Sequence, residues 1–141
     1  MAPQTLSATW TFIDGDWHEG NVLMWSARTH AIWLGSSVFD GARVFEGVAP
    51  DLDLHCARVN ASAKTMYLNP TMSADEIAGL ARDGMKKFPK DTMLYVRPMY
   101  WAERAGPQAL PPDPGSTRFA LTLYDSPMRK PDGFSITLSP F

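Results

Sequence analysis

The stretch Met93-Leu-Tyr-Val-Arg-Pro-Met-Tyr-Trp101 alternates two sets of side chains along an apolar run. This period of two predicts a β-strand. Pro98 has no backbone N–H to donate, so we predict that it lies at a sheet edge or at a bulge. Arg97 stands in the middle of the strand, and burial of its guanidinium requires an anion beside it. That anion is either a ligand or a protein carboxylate, for which the candidates are Asp40, Glu46 and Glu103.

Two helices are predicted on the N-terminal side of this strand. Residues 55–68 carry apolar side chains on one face at helical spacing. The second helix begins at Ser73-Ala-Asp-Glu76, a pattern in which the first and last residues cap the first turn reciprocally. Apolar residues then recur on one face as far as Phe88, which makes this the clearest amphipathic helix of the chain.

Further strands are predicted on both sides of the helices. In residues 9–18, aromatic side chains flank Asp14-Gly15, a pattern typical of a β-hairpin. Residues 37–48 are rich in β-branched and aromatic side chains, and Gly41 is expected at a bulge or a close approach. Two more alternating segments lie at 118–124 and 134–139. Strands, helices and strands in this order predict an α+β domain with a mainly antiparallel sheet and two helices.

The composition is that of a folded protein that binds neither nucleic acid nor membranes. The chain has 141 residues, which suits one domain, and 45% of them are hydrophobic. Lys and Arg number 13 against 15 Asp and Glu, so there is no basic excess for a nucleic-acid surface. No apolar run reaches the roughly 18 residues of a membrane span. Cys56 is the single cysteine, which indicates a reducing, cytoplasmic location.

Several kinds of site are also unsupported by the sequence. The three histidines lack metal-ligand spacing with one another or with Cys56, so no metal site is expected. Neither a hydrolase Gly-x-Ser-x-Gly nor a P-loop Gly-Lys-Ser/Thr is present. Arg58 lies in the first turn of the predicted helix over 55–68. It is either a solvated surface residue or a clamp for a phosphate, to which a guanidinium donates two parallel hydrogen bonds.

Three segments in order carry a family resemblance: Leu34-Gly-Ser-Ser-Val-Phe-Asp-Gly-Ala-Arg-Val-Phe45, His55-Cys-Ala-Arg-Val-Asn-Ala-Ser-Ala-Lys64 and Leu94-Tyr-Val-Arg-Pro98. In sequence and spacing they resemble the branched-chain amino acid aminotransferases, which are class IV, fold-type IV enzymes that use pyridoxal 5′-phosphate (PLP). The resemblance implies the small N-terminal domain of such an enzyme. It also implies PLP-dependent transamination between a branched-chain L-amino acid and 2-oxoglutarate.

The resemblance assigns roles to individual residues. Arg58 would bind the cofactor phosphate. The substrate-binding residues would be Phe39, Gly41, Arg43, Tyr95 and Arg97. Within that set Tyr95 would lie near the substrate carboxylate, Arg97 would accept the side-chain carboxylate of glutamate, and Phe39 would wall the aliphatic pocket. A loop containing Ala109 and Leu110 would reach the active site of a second subunit, so a homodimer is expected.

The resemblance also implies how the chain is divided. Residues 1–124 would form the small domain, 125–133 an interdomain linker, and 134–141 the start of a second, C-terminal domain. The Schiff-base lysine is expected in that domain beyond Phe141, so this chain would hold no catalytic residue and would be inactive alone. Leu34 stands where the family has tyrosine, and Asp40 where it has glutamate, so the preferred amino acid stays open.

Two alternatives remain beside the branched-chain reading. A D-amino acid transaminase, an (R)-amine transaminase or an aminodeoxychorismate lyase would share the fold and the cofactor. The Tyr95-x-Arg97 pair favours the branched-chain type over these. A non-catalytic ligand-binding module would keep the fold without the lysine. The lysine context beyond Phe141 distinguishes an enzyme from such a module.

Overall fold

The computed structural model of the protein describes residues 6–139. Its centre is a six-stranded sheet in which every strand pair is antiparallel. The strands are β1 (Thr9–Ile13), β2 (Asp16–Glu19), β3 (Ser37–Phe39), β4 (Ala42–Val44), β5 (Leu94–Ala102) and β6 (Thr117–Asp125). The helices are α1 (His30–Leu34), α2 (Leu52–Thr65) and α3 (Ala74–Met85), with a short 3-10 turn at Pro114–Ser116. The predicted α+β class is confirmed, and α1 is a third helix that the sequence did not indicate.

Strand β5 lies inside the sheet and organises the site. It pairs with β6 along its whole length on one side, while β3 and β4 share its other side. Pro98 lies opposite the break between β3 and β4, and its carbonyl accepts a hydrogen bond from the Asp40 N–H at 3.1 Å. The missing proline N–H therefore faces a place where the ladder is already interrupted. Of the two predicted alternatives for Pro98, a sheet edge or a bulge, the edge is excluded, because β5 is paired on both sides and only its ladder is interrupted at Pro98.

Helices α2 and α3 cover one face of the sheet, which we call the closed face. Its core is apolar and includes Val44, Val59, Ile77, Val96, Leu121 and Leu123. The predicted capping box at the start of α3 is confirmed, with Ser73 and Glu76 bonded reciprocally. A Cβ on Gly84 of α3 would lie 2.5 Å from the ring of Trp17, so the absence of a side chain lets the helix approach the β1–β2 hairpin.

The opposite face, which we call the open face, has only partial cover. Its β5 side chains are those that alternate with the closed-face set: Tyr95, Arg97, Met99 and Trp101. Met99 and Trp101 are buried with Ala31 of α1 in a second small cluster. Tyr95 and Arg97, at the other end of the strand, are only half-buried. The polar side chains that β5 presents on the open face therefore lie together at one end of it.

The chain beyond β6 differs from the prediction. Residues 134–139 form no strand, and Phe134, Ile136 and Leu138 are exposed. Their alternation suits a strand, but a strand also needs a neighbour for its backbone, and none of the described strands pairs with it. The sheet ends at Asp125, next to the predicted boundary at 124. The assignments of 125–133 as a linker and 134–141 as a second domain stay predictions, and residues 140–141 lie outside the described part.

The first hairpin and helix α2 were both predicted from the sequence. The predicted first hairpin is confirmed as β1 and β2, and the helix predicted over 55–68 runs instead over Leu52–Thr65. Among residues 6–139, no helix has the length and apolar character that a membrane span needs.

Candidate active site

The site is built around the break between β3 and β4, which consists of Asp40 and Gly41. A Cβ on Gly41 would lie 2.0 Å from the hydroxyl oxygen of Tyr95, a distance that no side chain can adopt. The predicted close approach at Gly41 is therefore confirmed, and its neighbour is the Tyr95 side chain. Because Gly41 carries no side chain, the Tyr95 hydroxyl can lie against the strand break beside Asp40.

The Asp40 carboxylate is the centre of a dense hydrogen-bond network. The side chain is only 6% exposed. Arg58 of α2 donates to it twice, from Nε to Oδ2 at 2.6 Å and from Nη2 to Oδ1 at 2.8 Å. His55 Nδ1 lies 2.7 Å from Oδ1, and the Gly41 N–H donates to the same oxygen at 2.7 Å. The strand break and the first turns of α2 are thus joined through one buried carboxylate.

These contacts fix the charges in the network. Burial alone would raise the pKa of Asp40, but the hydrogen bonds from Arg58, His55 and the Gly41 N–H hold that pKa below its usual value. An ionised carboxylate only accepts hydrogen bonds, so His55 Nδ1 carries the proton that faces Asp40. The Arg58 side chain is 61% exposed, and its Nη1 has no hydrogen-bond partner among residues 6–139. One edge of a fixed guanidinium therefore remains available to an anion.

Arg97 has no carboxylate partner in the described part of the chain. Asp40 is bonded to Arg58 and His55, while Glu103 is bonded to Thr29 and Trp101. The Arg97 guanidinium instead lies 5.7 Å from the ring centre of Tyr124. Its Nε is buried without a hydrogen-bond partner. Of the two partners that the sequence left open, the structure favours an anionic ligand, since a half-buried guanidinium needs charge compensation.

Arg43 lies on the open face opposite Tyr95 in register, and its hydrogen bonds reach the chain that follows β6. It donates from Nη1 to the Ser126 hydroxyl at 2.9 Å and from Nη2 to the Ser126 carbonyl. Nη2 also lies 3.3 Å from the sulfur of Met128. Arg43 therefore anchors the chain that leaves β6, and its direct contact with a substrate stays a prediction.

Apolar side chains border the same region. Phe39 pairs in register with Met99, lies on the open face and is 62% exposed. Leu34 ends α1 and is partly exposed, and Gly35 follows it in the left-handed conformation. An aromatic wall beside a cation is an arrangement that suits a ligand with both apolar and anionic parts.

Ala109 and Leu110 lie apart from this group. Their loop leaves β5 at the end opposite Tyr95 and is closed by a bridge between Ala105 and Pro112. Leu110 is 71% exposed at the tip. The structure thus places Phe39, Gly41, Arg43, Tyr95 and Arg97 on the open face and connects Arg58 to them through Asp40, the neighbour of Gly41. It leaves this loop projecting from the far end of the sheet. Among the described residues no cluster of metal-ligating side chains exists.

Asp40 and His55 are the residues that sequence reasoning missed as part of the site. The sequence indicates Asp40 as a candidate partner of Arg97 and as a departure from the family glutamate, but not as a partner of Arg58. The available signal was the spacing of His55 and Arg58, which places both on one side of α2 three residues apart. Nothing local in the sequence shows that the strand break brings Asp40 to that side.

The sequence matches known proteins along most of its length. Residues 37–140 match the family described as amino-transferase class IV. The branched-chain-amino-acid aminotransferase of Escherichia coli (strain K12) is 28% identical, over 77% of this chain and 38% of that enzyme. The corresponding enzyme of Salmonella typhimurium (strain LT2) is 29% identical, over 72% of this chain and 35% of that enzyme. The chain therefore spans little more than a third of these relatives.

Solved structures agree with this. An aminotransferase from Brucella abortus bound to PLP superposes with a TM-score of 0.91 at 54% identity, over 95% of this chain and 48% of that one. The branched-chain amino acid aminotransferase of Escherichia coli gives a TM-score of 0.70 at 25% identity, over 85% of this chain and 41% of that one. These similarities identify the fold as the N-terminal part of a fold-type IV aminotransferase.

Proposed function

The chain belongs to the class IV aminotransferase family, and from this premise we propose that the whole protein transfers an amino group between a branched-chain L-amino acid and 2-oxoglutarate with PLP as cofactor. The observation that carries the proposal is Arg97, a half-buried cation without a carboxylate partner among residues 6–139, on the same face as the exposed Phe39. Glutamate and 2-oxoglutarate carry a second carboxylate that leucine, isoleucine and valine lack. One cation beside one apolar wall suits both kinds of substrate in turn.

The residues present fit the phosphate of PLP. Arg58 is held by Asp40 through Nε and Nη2 and keeps Nη1 free, which leaves donors for a phosphate oxygen. When bound, PLP supplies the electron sink that weakens the bonds at the substrate Cα. This chain would contribute the hold on the phosphate and not the electronic chemistry.

The open-face residues would orient the substrate. Arg97 would bind the second carboxylate of glutamate, and the hydroxyl of Tyr95, which reaches Gly41, would donate to the substrate carboxylate. Phe39 would contact an aliphatic side chain and exclude water from it. Arg43 would act beside them by fixing the start of the following segment through Ser126.

The rest of the enzyme completes the proposal. Residues 125–133 would link this domain to a C-terminal domain that begins within 134–141 and carries the Schiff-base lysine. In a cytoplasmic homodimer, Ala109 and Leu110 would line the active site of the second copy, which their exposed position supports. The share of the Brucella abortus aminotransferase that the chain covers, 48%, supports a second domain of similar size.

The proposal is tested by measuring the two half-reactions of the intact protein separately, through the absorbance change of the cofactor. Arg97→Leu is expected to slow the glutamate half-reaction by roughly 10- to 100-fold, because it loses a charge-assisted hydrogen bond worth about 1.5–3 kcal/mol. The leucine half-reaction should change far less. Arg104→Leu, which removes an exposed guanidinium paired with Asp113, is the matched control.

Three results would contradict the proposal. Equal losses in both half-reactions together with a lowered melting temperature would make Arg97 a structural residue. Preference for D-leucine or an (R)-amine over L-leucine would assign the protein to another class IV activity. Transamination by purified residues 1–141 alone would remove the need for a lysine in a second domain.

A further inference from the structure

We propose that Asp40 is a positioning residue that holds Arg58 in the orientation needed to bind a phosphate group. The inference rests on the proposed function, in which Arg58 binds the phosphate of PLP, and extends it to a residue that does not itself touch the phosphate. It is carried by the geometry of one buried carboxylate and the exposed guanidinium that the carboxylate holds.

Asp40 is itself fixed by the backbone. Its N–H donates to the Pro98 carbonyl at 3.1 Å, and its Oδ1 accepts from the Gly41 N–H at 2.7 Å. With only 6% of the residue exposed, the carboxylate has one position in the strand break. A group that bonds to it is therefore fixed relative to β3, β4 and β5.

Arg58 without Asp40 would have no such restraint. Its side chain is 61% exposed, and a free arginine loses considerable rotamer entropy when it binds a ligand. The two bonds from Nε and Nη2 to the two oxygens of Asp40 set both the position and the plane of the guanidinium. They direct Nη1 away from Asp40, so the donors that remain free on the guanidinium are already oriented before an anion binds.

The charge of Asp40 also acts against a bound phosphate, and the two effects have opposite signs. Repulsion acts between a buried carboxylate and an anion held at an exposed guanidinium, where solvent screens it. The orienting bonds act directly on the binding group. We therefore expect removal of the Asp40 charge to weaken phosphate binding rather than to strengthen it.

The experiment compares PLP with pyridoxal, which has the same aldehyde and ring but no phosphate. In the intact protein, the change in the ratio of the two dissociation constants between a variant and the wild type reports the phosphate contact, because the cyclisation of free pyridoxal to a hemiacetal is the same in every measurement. Asp40→Asn keeps the shape of the side chain and is expected to reduce the preference for PLP by up to about tenfold, because Arg58 must then lose its rotamer freedom when the phosphate binds. Asp40→Glu restores a carboxylate and should restore most of the preference. Asp83→Asn, which breaks an exposed pair with Lys86 on α3, should leave the ratio unchanged.

Arg58→Lys tests the same idea with Asp40 in place, which matters if Asp40→Asn does not fold. It keeps the positive charge but loses the planar fork, so the preference for PLP should fall nearly as far as in Arg58→Ala. A wild-type ratio in Arg58→Lys, or a ratio in Asp40→Asn equal to or above that of the wild type, would overturn the inference. Parallel losses of PLP and pyridoxal affinity in Asp40→Asn would also overturn it, because they indicate a general structural role.

Failure of the proposed function looks different. If the wild-type protein does not prefer PLP over pyridoxal, or if Arg58→Ala leaves the preference unchanged, the phosphate site itself is refuted. If Arg58→Ala removes the preference and Asp40→Asn does not, only the positioning role of Asp40 is refuted.

Discussion

The closed and open faces of the sheet share the same strands but are completed differently. On the closed face, Leu94 and Val96 of β5 are buried under α2 and α3 in a continuous apolar core. On the open face, Tyr95 and Arg97 of the same strand are half-buried, and the Nε of Arg97 has no partner among residues 6–139. Neighbouring side chains of β5 therefore alternate between a face that stabilises the domain and a face on which hydrogen-bond donors are left for a ligand.

This difference shows where a change should affect folding and where it should affect binding. Apolar burial on the closed face supplies stability without specificity. A half-buried cation without an anionic partner on the open face lowers the stability of the domain, and a bound anion would compensate its charge. Substitutions on the closed face should therefore mainly lower stability, whereas substitutions on the open face should mainly weaken ligand binding.

The largest effect is expected on the closed face. Ile77 is fully buried, and Ile77→Ala should lower the free energy of unfolding of the intact protein by about 2–5 kcal/mol, through lost burial and a residual cavity. Phe39→Ala on the open face removes a larger but 62% exposed side chain and should change stability by no more than about 0.5 kcal/mol. Urea denaturation followed by circular dichroism measures both. Similar losses in the two variants would mean that the open face is part of the core.

A smaller effect is expected where the open face meets the strand break. Gly41→Ala would bring a Cβ to 2.0 Å from the Tyr95 hydroxyl, so Tyr95 must move, at a cost of about 1–3 kcal/mol. Gly79→Ala is the matched control, because nothing lies within 4 Å of its added Cβ in α3 and alanine favours a helix by up to about 1 kcal/mol. The melting temperature should fall in Gly41→Ala and rise slightly in Gly79→Ala. An unchanged melting temperature in Gly41→Ala would show that Tyr95 is not held against Gly41.

The smallest effect concerns the pH dependence at the Asp40 network. The folded-state pKa of Asp40 is lowered, so its ionised form stabilises the fold above the unfolded-state pKa of about 4. That contribution is lost as the pH falls through the lower folded-state pKa. The stability difference between wild type and Asp40→Asn should therefore shrink below about pH 4. Denaturation of the cofactor-free protein across this range is the measurement, and a difference that is constant with pH would mean that Asp40 is not the titrating group.

Local patterns in the sequence predicted most of the sheet and both long helices. The Ser73 and Glu76 capping box, the Asp14-Gly15 turn and the alternation in β5 are each encoded within a few residues, so they can be recognised without the rest of the chain. Gly41 was also predicted correctly, because a glycine inside a strand pattern indicates a close approach.

The features that sequence missed depend on distant parts of the chain. Helix α1 has five residues and no side-chain cap, so its stability comes from packing against β5 rather than from local propensity. Residues 134–139 have the alternation of a strand, but none of the described strands pairs with them. For the site, the position of Arg97 inside an apolar strand identified it as a cation in need of an anion, but only the fold shows that Asp40 pairs with Arg58 instead.

The break opposite Pro98 separates β3 from β4 on the same side of β5 and leaves their register unchanged. Each is aligned on β5 by its own pairs, Ser37–Phe39 with Met99–Trp101 and Ala42–Val44 with Leu94–Val96. Because the register is the same on both sides of the break, an insertion or a deletion there would shift Phe39 relative to Arg43 and would displace Asp40 from Arg58. The length of the break is therefore as important as the residues in it, since two residues keep Phe39 and Arg43 aligned on β5 while Asp40 bonds Arg58.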